Sequence, residues 1–257
     1  MNIYIETQQM IAFLFLLIRV SIVLFMVPFF SDLTIPPVVK GLLCIAFTFC
    51  LFQLVPTSAS AKVTHNLVGL TIAILGEVTL GIFWGLITRL VLAIFQISGE
   101  FIGYHFGFSI ANILDPQSGV QLSILSQWFY LIAMLVFFAV NAHYIVINAL
   151  VKSLTLLPPG SFIVNATTFN GVRLLSYKMF VIALQISAPV VAVLLFTQVA
   201  MGIIAKTVPQ INILISSFPL TIFLGFLFLG LTIELLGPRM GKIILSIHKY
   251  FNLVFVH

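Results

Sequence analysis

The sequence predicts an all-α membrane protein: about six long hydrophobic helices arranged as hairpins, followed by an amphipathic C-terminal helix. Three observations predict it. Of 257 residues, 61% are hydrophobic and 7% charged, where a soluble domain carries about a quarter charged residues. Six acids and eleven bases cannot cover a globule of this size with polar surface. Apolar residues come in long runs rather than amphipathic periods, as they do in helices surrounded by lipid or apolar protein.

The first run, 10–30, is long enough to span a bilayer and carries Arg19 in its middle and Pro28 near its end. Asp32, Pro36, Pro37 and Lys40 mark a turn. The second run, 42–55, is short for a span and stops at Pro56, before a polar connection with Lys62 and His65. The third runs without proline from 67 to about 97 and contains Glu77 and Arg89. A Gly-rich stretch, 99–119, leads to the fourth, 128–150. After the Pro158-Pro159-Gly160 break come the fifth run, 179–204 with Pro189 inside, and the sixth, 211–236 with Pro219 inside, closing at Gly237-Pro238. In the tail, 240–257, Lys242, Ser246 and Lys249 alternate at helical spacing with Ile243, Ile244, Ile247, Phe251 and Val254. Such a face suits a membrane surface or a partner. No repeat or linker divides the chain, so it reads as one membrane domain, 1–257.

Six runs place both termini on one side. Lys62, Lys152, Arg173, Lys178, Arg239, Lys242 and Lys249 flank that side, against Lys40 and Lys206 on the other. The excess makes the termini cytoplasmic under the positive-inside rule. The first nine residues carry Glu6 and no base, a poor start for a cleaved signal peptide. The bases form no stripe, which argues against nucleic acid as a partner. Cys44 and Cys50 share one apolar run and read as small buried hydrophobes. His65, His105, His143, His248 and His257 show no metal-ligand spacing, and no nucleophile–base motif or paired intramembrane carboxylates occur. Neither a metal nor a cofactor nor catalysis is expected.

Three groups of residues stand out. Gly99, Gly103 and Gly107 share a helical face, as do Gly81 and Gly85. In lipid, small residues allow the close backbone approach on which helix association depends. Internal packing is the simpler reading and a seam for a partner helix the sharper one. Arg19, Glu77, Arg89, Glu100 and Glu234 lie in or beside apolar runs, so each should face protein, a cavity or an opposite charge. Structural ion pairing is favoured over a proton relay. Arg89 and Glu100, three turns apart, cannot meet, so their partners should lie elsewhere, which favours an oligomer. Asn141 and Asn148 share a face of the fourth run, with His143 roughly opposite. The third group is the segment holding Ile110, Asn112, Asp115, Pro116, Gly119 and Gln121. There Asp-Pro…Gly is turn chemistry between apolar flanks, which suits a non-helical loop buried in protein or lining a pore.

Read in order, Arg19…Pro28…Pro36-Pro37…Lys40, Gly76-Glu77…Gly81, Gly99-Glu100…Gly103…Gly107-Phe-Ser and Asp115-Pro116…Gly119 resemble the FliR family. So do Asn141-Ala-His143, Ser153…Pro158, Pro189, Gly202…Lys206…Pro209-Gln210-Ile-Asn212 and Phe218-Pro219-Leu220. Lys206 departs from the Arg common in FliR-like chains. The resemblance implies a non-enzymatic subunit of the flagellar type III export gate in the bacterial inner membrane, at the flagellar basal body. It implies FliP and FliQ as partners in a pseudo-helical assembly, FlhB around it, unfolded export substrates and membrane lipid. It also implies that the loop from Ile110 to Gln121 lies in the channel and helps close it. The equivalent subunit of a virulence injectisome is the alternative within the family. A secondary transporter is the alternative from another class, but it would show paired broken helices in both halves.

Overall fold

The computed structural model describes residues 7–31, 35–54, 67–107, 123–162, 166–208 and 213–255, and every regular element among them is a helix. In chain order these are α1 (Thr7–Met26), α2 (Pro28–Ser31), α3 (Pro37–Phe52), α4 (Leu67–His105) and α5 (Ile124–Ala139). They continue as α6 (Ala142–Leu156), α7 (Ala166–Thr207), α8 (Ile213–Leu245) and α9 (Ile247–Phe255). Four have the length and composition to cross a membrane, α1, α4, α7 and α8, and a fifth does if α5 and α6 count as one interrupted span. The second run expected from sequence, α3, has 16 residues, so six spans are not reached among the described residues. Its length is roughly 24 Å, short of a ~30 Å hydrocarbon core.

Helix boundaries depart from the sequence reading where one residue decides locally. The fourth run is two helices rather than one. Asn141 takes a left-handed conformation, φ 56°, between α5 and α6, and Asn is among the few non-glycine residues that tolerate it. Conversely, Gly237-Pro238 does not close the sixth run, because α8 continues through Pro238 to Leu245. Proline's fixed φ is already helical, so it deletes one hydrogen bond without ending the rod. Pro189 and Pro219 likewise sit inside α7 and α8. Pro36 and Pro37 start α3, with Pro37 in the first turn where its missing N–H costs nothing.

The chain gathers into two compact units of non-contiguous segments, which is why no linker marks them. Unit 1 comprises Met1–Leu90, Asn141–Leu175 and Ser246–His257. In it α1 pairs with α3, Phe13 meeting Phe52 edge-on at 5.6 Å. The buried stripe Ala12, Leu16, Val20, Val23 of α1 and the stripe Leu80, Trp84, Ile87 of α4 supply its core. α9 packs on α6 and sets Phe251 against the buried Trp84, ring centroids 4.8 Å apart. The apolar face of the tail is thus consumed inside the chain at Ile247 and Phe251. Unit 2 comprises Val91–Val140 and Ser176–Leu245. It packs α5 on α8 and buries Phe95, Ile102, Phe129, Phe137, Ala183 and Leu194. Of the Ser217–Glu234 span only 17% is buried, so Phe223, Leu227 and Leu231 stay exposed.

Candidate functional site: helix ends met by buried charges

Arg19, in mid-α1, and Glu77, in α4, are both wholly buried in unit 1. They form a two-bond fork: Nε donates to Oε2 at 2.6 Å and Nη2 to Oε1 at 2.8 Å. The remaining guanidinium nitrogen, Nη1, donates to the Ser153 carbonyl at 3.2 Å, the Ser153 hydroxyl at 3.1 Å and the Leu157 carbonyl at 3.0 Å. Those acceptors belong to the C-terminal end of α6, where the carbonyls carry partial negative charge and that of Ser153 also accepts the Leu157 N–H at 2.8 Å. The Gly160 N–H donates to Glu77 Oε1 at 2.7 Å. Gly160 has φ 82°, a left-handed turn conformation that glycine adopts without strain. One residue before Glu77, Gly76 lets the Phe162 carbonyl lie directly against α4, where any Cβ would collide with it.

The pair therefore has a specific physical task. The 157–162 turn is non-helical backbone reaching the middle of an apolar span, a location tolerated only where protein satisfies its polar groups. Arg19 supplies a donor for Leu157 and Glu77 an acceptor for Gly160. Bidentate, charge-assisted hydrogen bonds are the strong class, and here every named partner is of complementary sign.

Two further charges serve helix ends. Arg89 Nε donates to the carbonyl of Met26, the last residue of α1, at 2.8 Å. In unit 2, Glu100 accepts the N–H of Ser123, the N-cap of α5, at 3.2 Å. A cation at a helix C-terminus and an anion at an N-terminus are the favourable pairings. These partners lie within the chain, where separate partners in an oligomer were expected. Arg89 and Glu234 are exposed on this chain and Glu100 is half-buried.

The glycines divide by what they touch. A Cβ on Gly81 would stand 2.8 Å from Ile22, and one on Gly85 would strike Met26, so this seam joins α4 to α1 within unit 1. A Cβ on Gly99 would stand 2.7 Å from the Leu125 carbonyl, and one on Gly103 would strike Ser123, so that seam joins α4 to α5 within unit 2. Gly107, grouped with them from its spacing, lies past the end of α4 with φ 83°, the conformation that ends a helix. Cys44 is buried but Cys50 is exposed, against the expectation for both. Asn141 and Asn148 are exposed, and His143 is half-buried.

Ile110, Asn112, Asp115, Pro116, Gly119 and Gln121 lie outside the described residues. The chain's entry to that segment is anchored in unit 2. Phe106 fills the notch left by Gly225 and meets Phe226 edge-on at 5.3 Å, while Gln198 donates to the His105 carbonyl at 3.3 Å. Sequence reasoning missed Gly160, Ser153, Gly225 and Phe106 as packing or anchoring residues. For Gly160 the Pro-Pro-Gly break was a usable signal; for the others no local signal exists. Among the described residues no three His, Cys, Asp or Glu gather where a metal could bind.

These features define a class: a polytopic helical membrane protein, poor in charge, whose intramembrane charges hold its own helix ends and turns. The chain belongs to the bacterial export proteins, family 1, which match it over residues 10–247, and to the FliR family. It is 34% identical over 232 residues to the flagellar biosynthetic protein FliR of Bacillus subtilis, covering 85% of this chain and 84% of that one. The protein of the same name from Escherichia coli is 27% identical over 222 residues, 86% and 84% of the two chains. That from Aquifex aeolicus is 26% identical over 236 residues, 91% and 90%.

Proposed function

We propose that this protein is a structural and gating subunit of the flagellar protein-export apparatus, assembled with FliP and FliQ in the inner membrane and enclosed by FlhB. The observation that carries the reading is family membership along nearly the whole chain, with relatives named for flagellar biosynthesis. Large apolar side chains left exposed on α8, α7 and α3 support an embedded or assembled state, since isolated soluble proteins seldom expose so much apolar surface. In this reading the segment with Asp115, Pro116 and Gly119 closes the channel, the termini are cytoplasmic, unfolded protein is the cargo and the subunit performs no catalysis.

Affinity purification of the tagged chain in mild detergent tests the partnership: FliP and FliQ should co-purify, and their absence would sink it. Deleting residues 115–119 tests the gate. The complex should still assemble while cells leak small ions; intact assembly without leakage would remove the gating role and leave the subunit structural. A strain lacking the chain should build no flagella, and normal filaments there would point to a different secretion system.

A further inference from the structure

We propose that Arg19 and Glu77 act as a sign-specific clamp for the 157–162 turn, so that their polarity cannot be exchanged and seating the turn is their role. The inference is independent of the export reading. It rests on the identity of the pair's other partners, three of which are backbone groups and so keep their sign under any substitution. Arg19 Nη1 faces the carbonyls of Ser153 and Leu157, and Glu77 Oε1 faces the N–H of Gly160. With the charges exchanged, a carboxylate at position 19 would be driven onto two carbonyl oxygens and a guanidinium at position 77 onto a backbone N–H. The salt bridge would be re-formed while its surroundings became acceptor against acceptor and donor against donor. In a wholly buried site, groups mismatched this way have no water to turn to.

A neutral pair behaves differently. Glu77→Gln keeps a side-chain oxygen for the Gly160 N–H, and Arg19→Met fills much of the guanidinium's volume without charge. Replacing a buried ion pair by groups of similar volume is often tolerated. The ordering of two double variants therefore separates a sign-specific clamp from a plain ion pair, for which exchange should restore what either single change loses.

The experiment expresses R19M/E77Q and R19E/E77R in the full chain in cells carrying its natural partners, and measures folded protein extracted from the membrane. The neutral pair should stay within about threefold of wild type, while the exchanged pair should fall at least about tenfold, no better than Arg19→Glu alone. An exchanged pair that equals or exceeds the neutral one would overturn the proposal. The seating arm uses a chain with Cys44 and Cys50 replaced by alanine and a cysteine substituted for Leu157, which is 5% exposed. Maleimide labelling should be slow when the pair is present and at least about tenfold faster in R19M/E77M, which removes both turn contacts. Equal protection in the two would show that the turn is seated without the clamp, and would overturn the proposal as well.

Discussion

The two units of this chain solve the same problem, packing helices that have little hydrophobic drive between them, with a different balance of charge and close approach. Unit 1 adds charge to its Gly81 and Gly85 seam: Arg19 and Glu77 tie α1, α4 and the end of α6 to a turn, and Arg89 closes the end of α1. In unit 2 Glu100 meets the start of α5, and close approach does the rest. Gly99 and Gly103 admit the first turn of α5, Gly225 admits Phe106, and hydroxyls of Ser98 and Ser126 donate to the carbonyls of Ala183 and Gln96 at 3.2 and 3.1 Å. The contrast teaches where a membrane protein places its rare charges. They go to backbone that leaves the helix, whereas straight helix against straight helix needs only small residues.

The largest effect should come from breaking the clamp in unit 1 on one side. Arg19→Met leaves a buried carboxylate without its cation and should lower stability by about 3–5 kcal/mol. Thermal unfolding in detergent reads this directly, and a shift no larger than that of a surface substitution would erase the contrast between the units.

In unit 2 the corresponding break is steric. Gly103→Leu forces a side chain into the space held by Ser123 and should cost roughly 1–3 kcal/mol. Membrane insertion should survive while the α4–α5 contact fails, so insertion and detergent stability are measured in parallel. A variant that melts like wild type would mean that this seam carries no energy.

A smaller test concerns the start of α5. Ser123→Ala removes the hydroxyl that accepts the Ser126 N–H at 3.1 Å and should cost about 1 kcal/mol. Ser123→Asn, which restores a capping oxygen but adds bulk beside Gly103, should not recover the loss. If it does, the cap alone matters and the seam tolerates more volume than its geometry indicates.

The smallest effect sharpens the comparison from outside. Gly202 and Gly230 have open space where a Cβ would stand, unlike the seam glycines. Alanine there should be neutral or stabilising by up to about 1 kcal/mol in the isolated chain, because glycine is the poorer helix former. If the same changes weaken co-purification of FliP or FliQ, those open positions are where the partners approach.

Much of this was legible in the residues themselves. Fold class followed from composition, since 7% charge leaves no route to a water-facing surface. Arg19, Glu77, Arg89 and Glu100 were conspicuous because a charge in an apolar run requires a partner. The ordered motifs pointed to the FliR family, to which the chain belongs. Turn chemistry at Pro158-Pro159-Gly160 was also plain, being a property of a few adjacent residues.

Tertiary structure decided which partner each residue received. Arg19 and Glu77 are 58 positions apart, and Ser153 and Leu157 lie 134 and 138 from Arg19. No periodicity links such residues, because side-chain spacing records a helix's own face and not what packs on it. The same limit left open whether the glycine seams met the chain itself or a partner, and only packing put Ile22, Met26, Leu125 and Ser123 against them. It also hid the division of the fourth run at Asn141, where the backbone crosses to φ 56° between two helices that are each apolar. Sequence by itself determined the solvent each helix could tolerate, since transfer from water to lipid is a sum over residues. Which helix end each charge would satisfy depended on contacts between distant segments, and these exist only once the chain has folded.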